Sequence, residues 1–346
     1  MKYLCSFIFP LCVLLFLYSG PHGVAAALSW TLPLWLLCLA DRYSPKLNQA
    51  SNPPLKQTFW FDWILVLLAM IQFVNIFLLL RYAAQLPWSS LSETAVSIVN
   101  LIVLRILVGT SSGSSAIIVA HELIHRRQKI LRGLGHGLLY TVCYDHFAIA
   151  HLQGHHQQVA TPEDISTARL GESFDSYWQR VVKGQFRYAW RYEMARLGIV
   201  SQTRSMFLWA KNRVLQGIVI EAWLVVMIIV QFGWVAAFIF LYQALAAVRL
   251  LETINYFQHW GLADRQGDEE LAWVNRSWLT QYALVGLSKH IGHHRHAGMA
   301  FPETPYLEQG PVMPYGYFAT NLWVKWRNRS YQETSARVLS IYHHFW

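Results

Sequence analysis

The sequence predicts an all-α integral membrane protein with about six transmembrane helices and a cytoplasmic, histidine-rich cap. Three observations lead to this prediction. Hydrophobic residues make up 54% of the 346-residue chain and charged residues only 14%, whereas soluble domains carry roughly a quarter charged residues. Apolar runs of about 20 residues, long enough to cross a bilayer as helices, recur along the chain. Nearly all of the 15 histidines lie in segments between and after these runs.

Six apolar runs are candidates for membrane spans. They cover residues 3–19, 24–40, 60–80, 93–118, 214–232 and 234–257. The first run has features of a signal peptide, because Lys2 precedes it and alanines follow from Ala25. A second apolar run comes at once, however, and this favours a retained helix. We therefore expect a single membrane domain over residues 1–346.

The distribution of basic residues predicts which side the cap faces. The 126–213 segment carries thirteen Lys or Arg residues, and the tail after Gly261 carries eight. An even number of spans with both termini inside places these segments in the cytoplasm. The net charge of +9 is thus explained by topology, and no basic-aromatic module for nucleic acids is present. We expect cytoplasmic catalytic segments over residues 119–213 and 258–346.

The four cysteines do not encode a redox or metal site. They are Cys5, Cys12, Cys38 and Cys143, and none forms a CxxC pair. This excludes a disulfide framework and a cysteine-ligated zinc or iron–sulfur site. Any electrons that the chain needs must come from another protein.

Nine histidines form three clusters and one single position. They are His121 and His125; His151, His155 and His156; His290, His293 and His294; and His259. Within each cluster, steps of three or four residues place imidazoles on one helix face. Imidazole suits iron, zinc, copper and nickel. Because nine ligands exceed what one metal takes, two metals are indicated.

Two other interpretations of the histidines stay open. The stretch from His121 to His125 also fits the HExxH pattern of zinc proteases, with Glu122 as general base. Such a site needs one zinc and about three protein ligands, which leaves six spaced histidines unexplained. A membrane protein that binds metal without catalysis is the other alternative.

The sequence around the clusters carries longer motifs. They are His151-Leu-Gln-Gly-His-His-Gln-Gln-Val-Ala-Thr-Pro-Glu-Asp164 with Arg169-Leu-Gly-Glu-Ser173, Leu251-Glu-Thr-Ile-Asn-Tyr-Phe-Gln-His-Trp-Gly-Leu262, and Leu287-Ser-Lys-His-Ile-Gly-His-His294. These motifs resemble those of the membrane alkane 1-monooxygenase family, within the wider membrane fatty-acid desaturase and hydroxylase group. The resemblance covers roughly residues 55–325.

The resemblance implies a six-helix fold in the bacterial inner membrane, with its active site facing the cytoplasm. It implies two iron ions held by the nine histidines, and dioxygen as co-substrate. One oxygen atom would enter an unactivated C–H bond of a hydrophobic small molecule. Electrons would come from rubredoxin or ferredoxin with its reductase. Desaturation shares the oxidant, so a membrane fatty-acyl desaturase or hydroxylase stays an alternative.

Three positions depart from the pattern of the resembled family. Gln258 and Trp260 stand beside His259, where the family commonly has Glu and Tyr, and Ala150 stands where a Glu often precedes the second cluster. These departures spare every proposed ligand. They weaken the assignment of an alkane as the substrate, because residues behind the ligands tune a metal centre.

Other residues are assigned supporting roles. Five are expected to hydrogen-bond to the ligating imidazoles or to pack beside them: Glu122, His146, Glu252, Asn255 and His296. His146 is also a candidate tenth ligand. Thr161 is a candidate helix cap, with Glu163 and Asp164 in the first turn that follows.

Small residues in the fourth span allow two interpretations. Gly109 and Gly113 lie among serines, and small residues let membrane helices pack closely. Alternatively, they leave a narrow channel for an alkyl chain. Gly113 precedes His121 by eight residues, or about 12 Å along a helix.

Overall fold

The computed structural model describes residues 2–199, 205–263 and 271–344. Within these ranges the regular structure is helical, with isolated β-bridges between Lys46 and Ser277 and between Val274 and Val312. The predicted cytoplasmic segments 119–213 and 258–346 extend into residues outside the described ranges. The α-helices are Ile8–Ser19, Val24–Ser29, Leu32–Arg42, Phe59–Ala84, Leu91–Ser111, Ile118–Ile124, Lys129–Tyr140, Phe147–Ile149, His156–Gln158, Phe174–Leu197, Met206–Ala210, Arg213–His259, Trp278–Ala283, His290–Arg295, Tyr317–Trp326 and Asn328–His344; Lys2–Phe7 and Leu287–Lys289 are 3₁₀ helices, and Ser112–Ile117 and Ala150–His155 are π-helical.

Five helical stretches in the described part of the chain are long and apolar enough to cross a membrane. They are Lys2–Ser19, Val24–Arg42, Phe59–Ala84, Leu91–Ile124 and Arg213–His259. The predicted fold class, an all-α multi-pass membrane protein, is confirmed. The last stretch contains both of the predicted spans 214–232 and 234–257, so the count of six stays a prediction.

The chain reverses direction within Arg213–His259. Along a continuous helix, Glu221 and Gln243 would lie about 33 Å apart. Both nevertheless contact one short stretch: the Asp145 N–H donates to Glu221 at 3.0 Å, and the Gln243 side chain donates to the Thr141 carbonyl at 2.9 Å. Gly233 lies between them with φ 82° and ψ 176°, a backbone conformation that glycine adopts readily.

The chain divides into two compact units. The first comprises Met1–Leu37, Trp60–Asp145 and Gln216–Leu250, and it holds most of the apolar helices. The second comprises Cys38–Phe59, His146–Leu215 and Leu251–Trp346. Seven of the nine clustered histidines belong to the second unit, and the remaining two, His121 and His125, belong to the first.

Small side chains and local hydrogen bonds shape the first unit. A Cβ at Gly109 would lie 2.6 Å from the Ala246 Cβ, and one at Gly113 would lie 2.7 Å from a methyl carbon of Leu250. Glycine is therefore what lets these helices approach closely. Ser115 Oγ donates to the Ser111 carbonyl at 2.6 Å, and such bonds to the preceding turn loosen a helix. The bond between Ser115 and Ser111 lies where the helix changes to π geometry.

Asp41 joins three segments of the second unit. Its buried carboxylate accepts hydrogen bonds from Ser277 Oγ at 2.5 Å and Thr280 Oγ1 at 2.9 Å. It also accepts from the backbone N–H groups of Phe318 at 2.9 Å and Ala319 at 3.2 Å. These two groups open the helix Tyr317–Trp326, where N–H donors have no partner within the helix. The carboxylate thus holds the end of the second apolar helical stretch against the carboxyl-terminal part of the chain.

Candidate metal centre

Four histidines of the second unit form a first group of converging ring nitrogens. His155, His259, His290 and His294 each offer one nitrogen, and these nitrogens all lie within 4.8 Å of one another. The Nε2 atom of His290 lies 3.0 Å from that of His259 and 3.0 Å from that of His294. Two nitrogens bound at right angles to one metal, each at about 2.1 Å, would be about 3.0 Å apart. The spacing therefore fits adjacent ligands of a single metal ion.

Three further histidines of the second unit form a second group. The Nε2 atom of His156 lies 3.0 Å from that of His151 and 3.0 Å from that of His293. The two groups are neighbours, since the rings of His156 and His294 have centroids 4.8 Å apart. Two adjacent sets of imidazole nitrogens can hold two metal ions.

The remaining two histidines of the predicted set lie in the first unit. His121 belongs to the helix Ile118–Ile124, and His125 caps that helix. Their ring centroids are 5.3 Å apart, as expected for residues four apart on one helix face. The paired arrangement predicted for this cluster is therefore present.

A π-helical turn decides which histidines of the second cluster face the same way. The sequence predicts a four-residue step from His151 to His155, but residues 150–155 adopt π geometry. A π turn bonds residues five apart, so His151 pairs with His156 instead. His155 points to the first group. Sequence spacing alone could not show this division, because π turns depend on the surrounding packing.

The third cluster is divided between the groups in a similar way. His290 and His294, four residues apart, belong to the first group, and His293 belongs to the second. Gly292 lies between them on the helix His290–Arg295. A Cβ at Gly292 would overlap the backbone carbonyl oxygen of Pro305. A glycine is needed at this position because that loop packs directly against the helix.

Asp164 orients His155. Its carboxylate lies 2.8 Å from His155 Nδ1, and it also accepts hydrogen bonds from Thr167 Oγ1 at 2.6 Å and from the Ser166 N–H at 2.9 Å. Burial alone would raise the pKa of Asp164, but His155 and these donors hold it below its usual range. A carboxylate at Nδ1 keeps the proton there and leaves Nε2 unprotonated, the form that binds metal.

The second ring nitrogen of His155 gives the clearest indication that this site fits a metal ion. Its Nε2 atom is buried and has no hydrogen-bond partner among the described residues. Buried polar atoms are almost always paired, and a metal ion would satisfy this one. Burial and the neighbouring histidines lower the pKa of His294 well below its usual range. The site therefore fits a metal, because it offers neutral imidazoles.

A backbone carbonyl orients a second histidine. His259 Nδ1 lies 2.9 Å from the carbonyl oxygen of Leu271, and this contact directs Nε2 toward His290. Neither orienting group was identified from the sequence.

The predicted helix start at Thr161 is wrong. Residues 161–163 form a bend and a turn, Asp164 is not helical, and Thr161 Oγ1 donates to the Gln158 carbonyl instead of capping a helix. Only the presence of Asp164 in the quoted motif could have indicated its role.

The predicted supporting residues Glu252 and Asn255 belong to one buried polar network. The Glu252 carboxylate accepts from Tyr177 Oη at 3.2 Å, from Gln185 Nε2 at 3.1 Å and from Asn255 Nδ2 at 3.1 Å. The single hydroxyl hydrogen of Tyr177 is shared with a second acceptor, the carbonyl oxygen of Ser166 at 2.9 Å, two residues from Asp164. Through that backbone, the network supports the loop that holds His155.

The other predicted supporting residues lie in varied surroundings. Glu122 pairs with Arg126 at 3.0 Å, and Arg126 also pairs with Asp62 at 3.3 Å. His146 packs edge-on against Phe186, and burial lowers its pKa to about 4. His296 is exposed, and its backbone N–H caps the helix that carries His293. Neither His146 nor His296 belongs to the two groups.

The predicted substrate channel at Gly109 and Gly113 stays a prediction. The space beside these glycines is occupied by Ala246 and Leu250. Close helix packing, the alternative interpretation, accounts for both glycines.

Comparison with known proteins identifies a family model and several relatives that this chain resembles. Residues 96–322 match the family model described as fatty acid desaturase. Two alkane 1-monooxygenases of Pseudomonas aeruginosa are 36% and 35% identical over 60% and 61% of this chain. The alkane 1-monooxygenase of Acinetobacter baylyi is 32% identical over 70% of it.

These similarities define the family but leave part of the relatives unmatched. The chain spans 56%, 57% and 61% of the length of the three relatives. The family model, by contrast, covers well over half of this chain, including all nine clustered histidines. The chain therefore belongs to the fatty acid desaturase family.

Proposed function

We propose that this chain is a membrane non-haem di-iron monooxygenase. It hydroxylates an unactivated C–H bond of an alkane or alkyl chain, using dioxygen and electrons from rubredoxin or ferredoxin with its reductase. The proposal rests on one observation, the two adjacent groups of buried and partly buried histidines with converging ring nitrogens. The alkane 1-monooxygenases that the chain resembles support the choice of reaction.

The proposed ligand set is the nine clustered histidines. His155, His259, His290 and His294 hold one iron ion. His151, His156 and His293 contribute to the second, and we propose that His121 and His125 complete it. Imidazole binds several first-row metals; the assignment of iron rests on the resembled family.

In this proposal the metal ions and the surrounding residues have different roles. Two iron ions, when bound, supply the reduction of dioxygen and the oxidation of the C–H bond. Asp164 and the Leu271 carbonyl fix the orientation of His155 and His259 through their Nδ1 atoms. The burial of His155 and His259 excludes water, which limits side reactions.

Desaturation is the second candidate function, because the matching family model is that of fatty acid desaturases. The two reactions give different products from the same site. A hydroxylase adds one oxygen atom to the substrate, and a desaturase leaves a new double bond with no added oxygen.

The zinc-protease alternative has less support. A general base must be able to take a proton from water. Here Glu122, which would serve as that base, forms an ion pair with Arg126. The Arg126 guanidinium thus already engages the carboxylate that a protease would need as its base.

The proposed setting is the bacterial inner membrane, with the metal centre facing the cytoplasm. The basic residues of the segments that hold the histidines support this orientation. It would place the centre where a cytoplasmic electron carrier can reach it.

Labelled dioxygen tests the proposed function. Membranes that contain the protein would receive ¹⁸O₂, a rubredoxin–reductase system and n-alkanes or fatty acyl chains of several lengths. We expect an alcohol that carries one ¹⁸O atom, and none from His155→Ala. His296→Ala, which changes an exposed histidine outside both groups, should keep activity. A new double bond without label would instead identify a desaturase.

A further inference from the structure

A small pocket in the second unit has a cationic lining. Its volume is about 50 Å³, and residues from the segments 41–46, 276–277 and 312–316 surround it. At roughly 10–15 Å³ for each water, the pocket has room for a few waters or for one tetrahedral oxyanion. It lies outside both histidine groups, so the metal centre does not account for it.

The charges that line this pocket are not balanced. Arg276 pairs with Glu308 at 3.0 Å, and both oxygens of Asp41 accept hydrogen bonds from buried donors. Arg42 and Lys46 are exposed, and neither forms an ion pair with a carboxylate in the part of the chain that the structure describes. Neutral donors do not cancel the charge of Asp41, so the three cations and the two carboxylates Asp41 and Glu308 leave one net positive charge to attract an anion.

The position of the Arg42 side chain suits it to bind an oxyanion. Its guanidinium carbon lies 5.0 Å from the ring centroid of Tyr315, and stacking on an aromatic ring restricts the side chain without using its N–H donors. Arginine held in this way can donate two parallel hydrogen bonds to a phosphate. Lys46 adds a point charge on the same pocket.

The pocket also lies at the end of an apolar helix. Arg42 is the last residue of the candidate span Val24–Arg42, and the next residue, Tyr43, is 74% exposed. Tyrosine and arginine at the end of a span are typical of the headgroup region of a bilayer. Anionic lipids of the cytoplasmic leaflet attract basic residues there.

We propose that this pocket binds the phosphate group of an anionic phospholipid, with Arg42 and Lys46 as its cationic contacts. The same chemistry would accept free phosphate. The position of Arg42 at the end of an apolar helix favours the lipid. Lipid bound here would hold the segment after Arg42 against residues 276–277 and 312–316.

Lipid binding to the full-length protein in neutral detergent tests this proposal. Native mass spectrometry would measure phosphatidylglycerol, phosphatidylcholine and inorganic phosphate separately. We expect phosphatidylglycerol to bind selectively and the double variant Arg42→Gln/Lys46→Gln to bind it about 25-fold more weakly, at about fivefold for each cation. Lys56→Gln removes an exposed cation from the same connection but outside the pocket. It should change binding by less than about twofold.

Other results would overturn the proposal. Equal binding of phosphatidylglycerol by the double variant and by Lys56→Gln would exclude the pocket. Inorganic phosphate that binds as tightly as phosphatidylglycerol would exclude a lipid as the ligand. Because Arg42 packs on Tyr315, the double variant could lose its fold. Lys46→Gln alone then serves as the test, with about fivefold weaker binding expected and unchanged binding contradicting the proposal.

Discussion

The serines of the π turn Ser112–Ile117 and two buried carboxylates of the second unit, Asp41 and Glu252, form hydrogen bonds over very different sequence distances. In the helix Leu91–Ser111 and the π turn that follows, Ser114 and Ser115 donate to carbonyl oxygens four residues earlier. In the second unit, Asp41 accepts from Ser277, 236 residues away, and Glu252 accepts from Gln185, 67 residues away. The two serine hydroxyls thus depend on the local sequence, whereas the two carboxylates depend on segments that are distant in the chain.

This difference predicts that equivalent polar changes will have unequal effects. Removing a local hydrogen bond leaves the rest of the helix to support the backbone. Removing a long-range acceptor leaves several buried donors from different segments without partners. The following variants test that expectation, from the largest effect to the smallest.

Asp41→Ala should have the largest effect on stability. It removes the acceptor of four hydrogen bonds, and a bond to a charged group is worth about 1.5–3 kcal/mol, with more lost when buried donors stay unpaired. We expect a loss of at least about 3 kcal/mol, measured as unfolding in detergent. Glu333→Ala, which breaks the exposed pair with Arg329, should cost less than about 1 kcal/mol. Similar losses in both variants would contradict the comparison.

Gly292→Ala should destabilise the helix His290–Arg295. The added Cβ would overlap the Pro305 carbonyl oxygen, and overpacking typically costs about 1–3 kcal/mol. We also expect less bound metal, because three of the clustered histidines lie on this helix. Gly298→Ala is the matched control, since a Cβ there meets nothing within 4 Å. If the Gly292→Ala and Gly298→Ala proteins were equally stable and bound equal amounts of metal, the loop that contains Pro305 would be able to move away from the helix.

Asp164→Asn should weaken metal binding with little change in fold. The amide keeps the shape of the side chain but loses the charge that holds the His155 Nδ1 proton, and such changes typically cost about 10–100-fold in affinity. Competition with a chelator measures the effect. Glu163→Gln changes the neighbouring exposed carboxylate and should stay within about twofold of the wild type. Equal affinities in the two variants would exclude Asp164 as an orienting group.

Ser115→Ala should have the smallest effect. Among the residues that the structure describes, its hydroxyl bonds only to Ser111 in the preceding turn, so we expect a change in stability of less than about 1 kcal/mol. Unfolding in detergent, measured beside Asp41→Ala, provides the comparison. A loss as large as that of Asp41→Ala would show that the π turn depends on this hydroxyl.

The same difference explains how much the sequence could predict. Hydropathy predicts the apolar helices because burial in lipid acts on each run separately. The reversal at Gly233 falls between the predicted spans 214–232 and 234–257, and the contacts with Thr141 and Asp145 show the change of direction. The nine histidines could be proposed as ligands from the sequence because their clusters and motifs are local, and that assignment stays a prediction.

The arrangement of the histidines could not be predicted in this way. The π turn at residues 150–155 places His155 in a different group from His151, although a regular helix would put them on one face. Asp164 and the Leu271 carbonyl reach their histidines through loops, whose course depends on tertiary packing. Local pattern does not encode these contacts.

Metal content of the detergent-purified protein tests the central claim most directly. Elemental mass spectrometry should find about two iron ions per chain in the wild type and in His296→Ala. It should find far less in His155→Ala, whose imidazole offers a buried nitrogen with no hydrogen-bond partner in the described part of the chain. About one zinc per chain without iron, or iron content that is unaffected by His155→Ala, would contradict a histidine-held di-iron centre.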